Sequence, residues 1–221
     1  MEILLAGPIE GAIDAFYEHI KGMKPHWAVC AGDFGIWPDP ERMDRASKKH
    51  AAKDFSRHYV GVANNPITIP TLTIAGVHDD NRFLAQRLSV GNTEILNNVH
   101  WLANGYKTNI GFETAIRVTG FGRAYSEQTF SGVVGSKSHR HYTRRDIERG
   151  CSSGPTDLLV VYEHLDAPGI RNLIFATRPK LILGVERPNQ TSYDEIQGIP
   201  VIQLGRDECT LLTWEDNRFI L

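Results

Sequence analysis

Short apolar runs alternate with amphipathic stretches through the first part of the chain. Residues 3–6 (ILLA) are an uninterrupted apolar run, and Ile13, Phe16, Tyr17 and Ile20 follow at helical spacing between Gly11 and Gly22. This order predicts a buried strand, a glycine-flanked turn and a helix. A second apolar run at residues 27–31 ends in Gly32-Asp33, and residues 41–58 are polar enough for a helix with a solvated face. Residues 69–75 and 81–90 repeat the strand and helix patterns. Such alternation with short connections predicts a parallel sheet covered by helices on both faces.

From Val99 onward the rhythm changes. Residues 100–102, 115–118, 158–161 and 181–183 are strand-like, residues 170–177 are helical, and runs around Val201-Ile202 and Leu211-Leu212-Thr213 supply closing strands. With no internal repeat, low-complexity run or linker in the sequence, one α/β sandwich domain over residues 1–221 is expected.

Composition narrows the function classes only modestly. At 221 residues, with 41% hydrophobic and 23% charged side chains, the chain is long enough for a sizeable core. A formal charge of -2 gives no global attraction to nucleic acid or acidic membranes. The N-terminus has no basic leader region and no apolar run approaches membrane-spanning length, so no membrane partner is expected. Cys30, Cys151 and Cys209 are widely spaced and form no CxxC pair, which argues against a disulfide framework or thiolate zinc site and predicts a cytoplasmic location.

The candidate chemistry sits where strands give way to loops, the edge at which ligands collect in layered α/β proteins. Two phrases stand out: Ala31-Gly32-Asp33-Phe34-Gly35 and Ala75-Gly76-Val77-His78-Asp79. No serine lies in a GxSxG elbow and no cysteine in a recognisable nucleophile motif, and Gly120-Phe121-Gly122 does not open a dinucleotide-binding helix. On its own, Asp33 reads more readily as a turn residue bonding its own backbone than as a ligand. His78-Asp79-Asp80 reads equally as an acid among carboxylates or as an N-cap cluster for the following helix.

The ordered set AGPIEG, AGDFG, AGVHD, VYEHLD and LGVERP resembles the five motifs of the calcineurin-like metallophosphoesterases. Residues 55–59 (FSRHY), Asn98-Val99-His100, Gly120-Phe121-Gly122 and Tyr142-Thr143-Arg144-Arg145 are most similar to RNA lariat debranching enzymes within that superfamily. The resemblance implies a sandwich of two mixed β-sheets flanked by helices. It also implies a two-ion site that clamps a phosphate and activates water. Asp33 matches the bridging carboxylate, His78 the histidine that assists leaving-group protonation, and His164 a ligand of the second ion.

Elsewhere the ligand pattern is altered. Where the family has Asp and His in the first motif, Asn in the third and two His in the last, this chain has Pro8, Glu10, Val77, Val185 and Arg187. Proline and valine side chains carry no lone pair, and a guanidinium stays protonated beside a cation. The expectation is therefore a lost two-metal site, with Glu10 and Arg187 paired where the first ion would sit and Val77 packed toward Val185. No cofactor is expected; if the site is active, it would take one divalent ion such as manganese, iron or zinc on Asp33, His164 and Glu10.

Residues 136–149 (SKSHRHYTRRDIER) are basic and contain Tyr142, a composition that suits a phosphodiester backbone and a stacked base, or simply a solvated loop entering a helix. Three functional readings follow. The first is a pseudo-phosphoesterase acting as a binding or scaffolding module, its phosphate held by Arg187, His78 and His164 or by Lys137, Arg140, Arg144 and Arg145, with a protein partner also open. The second is an active metal-dependent phosphodiesterase on a nucleotide or RNA. The third is a non-catalytic nucleic-acid binder using residues 137–149.

Overall fold

A computed structural model describes residues 1–51, 53–112, 115–185 and 190–220. Its elements run β1 (Glu2–Ala6), α1 (Ile13–Met23), β2 (Trp27–Cys30), α2 (Arg45–His50), α3 (Asp54–Tyr59), β3 (Thr71–Thr73), α4 (Asn81–Ser89), β4 (Glu94–Leu96), β5 (Val99–Trp101), β6 (Lys107–Ile110) and β7 (Ile116–Phe121). Then come α5 (Glu127–Phe130), α6 (Arg144–Ser152), β8 (Leu158–Val161), α7 (Ile170–Thr177), β9 (Leu181–Val185), β10 (Ser192–Ile196), β11 (Ile199–Leu204), β12 (Cys209–Glu215) and β13 (Arg218–Ile220).

Two mixed sheets pack face to face. The first has strand order β13-β12-β1-β2-β3-β5-β4 and the second β10-β11-β9-β8-β7-β6. In the first, β1, β2, β3 and β5 are mutually parallel, and in the second, β7, β8, β9 and β11 are. β2, β8 and β9 are buried on both faces along almost their whole length, as is β1 beyond Glu2, which is why these runs read as unbroken apolar sequence.

The two-residue alternation of a strand assigns each side chain to one layer. Ile3, Leu5, Val29 and Ile74 meet Val118, Leu158, Val160 and Leu183 between the sheets. Leu4, Ala6, Ala28 and Cys30 face the opposite way, onto Ile13, Phe16 and Ile20 of α1 and Phe55 of α3. On the outer side of the second sheet, Leu159, Val161 and Ile182 pack on Ile147 of α6 and Leu173 of α7. The layers are thus helix, sheet, sheet, helix, and the first sheet carries helices on one face only, because the second sheet takes the other.

Other expectations change for local reasons. The helix expected over residues 41–58 is a single turn at Pro40–Arg42 followed by α2 and α3. Asp44 starts α2 by accepting from the Ser47 amide at 2.8 Å, and Ala51 ends it in extended backbone. The third strand is confined to Thr71–Thr73, directly after Pro70. Strands β4, β6, β10 and β13 have no apolar run long enough to announce them and are recruited by antiparallel pairing at sheet edges.

Candidate functional site

The loops leaving the parallel strands of both sheets converge on Asp33. Its backbone is left-handed, with φ +29°, and its carbonyl accepts the Glu10 amide at 2.7 Å. Gly35 lets the first two loops touch: its φ is +81°, and a Cβ there would stand 2.1 Å from the Gly11 nitrogen. Gly76 brings the third loop equally close, since a Cβ there would lie 2.1 Å from Oδ1 of Asp33.

The Asp33 carboxylate is buried and engaged on both oxygens. Oδ1 accepts the His78 backbone amide at 2.6 Å, and Oδ2 accepts the Tyr162 hydroxyl at 2.6 Å. Tyr162 is the residue immediately beyond β8, so strand register delivers its hydroxyl across the sandwich to the second loop. Nothing in the sequence pattern marked it except its place two residues before His164.

Glu10 forms an ion pair, with Arg206 at 2.9 Å. Arg206 follows β11 and also approaches Asp207 at 3.3 Å. Burial raises the Glu10 carboxyl above its ordinary value; Arg206 opposes that rise and Asp33 adds to it. Arg187, expected to take this partnership, lies outside the described residues. Pro8 is buried and its carbonyl accepts the Asp207 amide at 3.0 Å. Val185 lies in the apolar core between the sheets and Val77 packs against the same cluster.

Asp79 and Asp80 serve the loops. Asp79 is fully buried and accepts the amides of Gly35, Ile36 and Gly76, each at 2.7 Å. Its carboxyl is pushed up to about 7, by burial first and then by neighbouring Asp33, against those three hydrogen bonds. Asp80 caps α4 by accepting the Phe83 amide at 3.1 Å and pairs with Arg42. His78 is half-buried with its ring 5.1 Å from that of His50, and its Nδ1 is buried without a hydrogen-bond partner. Its carbonyl accepts Nε1 of Trp37 at 2.5 Å, so Trp37 is a packing residue of the site wall. His164 is exposed, its amide bound by the Glu163 carboxylate at 2.9 Å, and Glu163 also accepts the Tyr125 amide. Among the described residues, no three His, Cys, Asp or Glu side chains are gathered so that they could hold a metal ion.

The basic segment divides by role. Tyr142, offered by the sequence as a base-stacking ring, is fully buried against Phe121, and its hydroxyl binds the Pro168 carbonyl at 3.1 Å. A ring without exposed face cannot stack a base, and that part of the expectation is corrected. Arg140 pairs with Asp44, and Arg149 with Asp146 at 3.0 Å. Lys137, Arg144 and Arg145 remain exposed. The thiols are not nucleophiles in waiting, for burial pushes those of Cys30 and Cys209 up to about 12.

No family model matches the chain. No curated protein matches it either. Solved structures do. One shares TM-score 0.60 and 14% identity over 96% of this chain and 94% of its own. The protein TT1561 of Thermus thermophilus shares TM-score 0.59 and 11% identity over 93% and 89%. The sulfate thiohydrolase SoxB of Thermus thermophilus, in complex with glycerol, matches at 12% identity over 90% of this chain but 38% of its own, and its TM-score of 0.48 adds no argument. At such identities the likeness speaks for architecture alone. The fold of this chain is the calcineurin-like phosphoesterase fold.

Proposed function

We propose that this chain is a phosphoesterase-fold protein that has lost the two-metal hydrolytic site and acts in the cytoplasm as a binding or scaffolding module for a phosphate-containing ligand. The observation that carries this reading is the engagement of Asp33. The carboxylate at the bridging position gives one oxygen to the His78 amide and the other to the Tyr162 hydroxyl. A binuclear centre needs that carboxylate, and it needs donors where Pro8, Val77 and Val185 offer none. Glu10, the one altered position that retains a carboxylate, is held by Arg206, a cation that would repel a divalent ion at the same place. The residues present therefore do not fit a two-metal centre.

The similarity to lariat debranching enzymes supports a nucleotide or RNA phosphate as the ligand class. Within FSRHY the side chains themselves are structural: Phe55 is buried against Phe34, and His58 binds Asp14 at 3.1 Å. The similarity thus speaks through the frame of the site rather than through its chemistry.

The test is turnover of bis(4-nitrophenyl) phosphate with manganese, wild type against Asp33→Asn. The expected result is no catalysed hydrolysis by either protein. Manganese-dependent turnover abolished by Asp33→Asn would establish a working hydrolase and reject the proposal.

A further inference from the structure

A cavity of about 690 Å3 lies between the segment following α5 and the start of α6. Its walls include Arg123, Arg144 and Arg145, faced by Glu148 as the one acid among the described lining residues. None of the three arginines forms an ion pair among the described residues. Arg123 donates Nε to the neutral amide of Asn81 at 2.9 Å, Arg144 lies 5.5 Å from the Phe130 ring centroid, and Arg145 is exposed. In the neighbouring cleft of about 400 Å3, Arg42 and Arg140 are paired with Asp80 and Asp44, beside Arg82 and Lys137.

The setting of these cations is unusual. Arg123 holds a left-handed backbone, φ +68°, which is costly for a side chain with a Cβ. It is fixed all the same: its amide binds the Ala75 carbonyl at 2.6 Å, and Asn81 is itself tied to the Gly76 carbonyl at 2.8 Å. Burial also weakens its hold on its proton, a sign of a desolvated cation. Arg144 and Arg145 are the first two residues of α6, at the positive end of the helix dipole, where cations are unfavourable. His141, on the same wall, has a buried Nδ1 with no hydrogen-bond partner. The lining also includes Phe130, Val133 and Val134, of which Val134 is 89% exposed.

We propose that this cavity binds a phosphate monoester with an aromatic or apolar body, the phosphate seated among Arg123, Arg144 and Arg145 and the body against Phe130, Val133 and Val134. A phosphate monoester carries about -1.5 to -2 charge at neutral pH, which three arginines opposed by one glutamate complement. The volume suits a ligand of mononucleotide size. This inference rests on the binding-module reading and names the ligand site that reading leaves unassigned.

Calorimetry with benzylphosphonate, which has no ester to hydrolyse, tests it on the full chain in EDTA. Saturable binding at one site per chain is expected, with inorganic phosphate and benzyl alcohol each weaker by about tenfold or more. Arg123→Gln and Arg145→Gln should each weaken benzylphosphonate by about tenfold or more, and Glu148→Gln should tighten it by a few-fold. Arg145 is exposed and forms no ion pair among the described residues, so its variant remains informative if Arg123→Gln is unstable. No saturable binding, or affinity indifferent to both arginine variants, overturns the placement alone. In a second titration with manganese in place of EDTA, binding that appears only with the metal and disappears in Asp33→Asn overturns the placement and the loss of the metal site together.

Discussion

Replacing Tyr162 by phenylalanine removes a single oxygen while leaving the ring in place over Gly32, where a Cβ would stand 3.0 Å from Cδ2 of the tyrosine. The packing term is therefore almost unchanged, and the perturbation removes the hydroxyl that donates the 2.6 Å hydrogen bond to Asp33. A hydrogen bond to a carboxylate contributes about 1.5–3 kcal/mol net. For a chain of this size each kcal/mol corresponds to roughly 2–4 °C in Tm, so Tyr162→Phe should lower Tm by about 3–12 °C. Urea unfolding should show the same loss at unchanged slope. The decisive comparison adds manganese. A ligand that binds only the folded state stabilises it by about 2.7 kcal/mol at a hundred times its Kd, and if Asp33 is a metal ligand, wild type and Tyr162→Phe should both gain. The account predicts that neither does. A Tyr162→Phe loss below about 0.5 kcal/mol, or full rescue by manganese, would refute the reasoning that tyrosine and not metal holds this carboxylate.

Further outcomes follow from the same geometry. Gly76→Ala, whose methyl would need the space of Asp33 Oδ1, should destabilise by about 1–3 kcal/mol from overpacking, read by urea unfolding. Glu10 has a folded pKa raised by burial, so the native state binds a proton that the unfolded chain has released, and stability falls as pH rises above the ordinary carboxyl range. Glu10→Gln should therefore be at least as stable as wild type at pH 7–8, with its advantage vanishing below about pH 4. Asp157 shows the opposite sign: Arg117 and Lys180 hold its buried carboxyl well below the usual range against the penalty of burial. Its contribution is present above about pH 4 and is lost as pH falls, so Asp157→Asn should be less stable at pH 7 by about 2 kcal/mol or more and should flatten the acid limb of the stability profile.

The parallel strands were readable because burial on both faces leaves no polar residue to blur the run, as in residues 3–6 and 158–161. Edge strands such as Ser192–Ile196 and Lys107–Ile110 are half-exposed and polar, and their pairing depends on a neighbour distant in sequence. The order of the loop motifs singled out Asp33, His78 and Glu10, whose loops the fold brings together, and the side chains of Pro8, Val77 and Val185 carry no lone pair. The partners were another matter. Tyr162 reaches Asp33 across 129 positions of sequence, and Arg206 reaches Glu10 because the next strand, β12, pairs antiparallel with β1 and sets Cys209 opposite Ala6. Tyr142 illustrates the converse: an aromatic among cations looks accessible in one dimension, while α5, α6 and β7 close over it in three.

Metal content per chain tests the central claim most directly. Protein dialysed against manganese, passed through a desalting column and measured by elemental mass spectrometry should carry well below one ion per chain, with Asp33→Asn indistinguishable from wild type. Two ions per chain, reduced by Asp33→Asn, would contradict it.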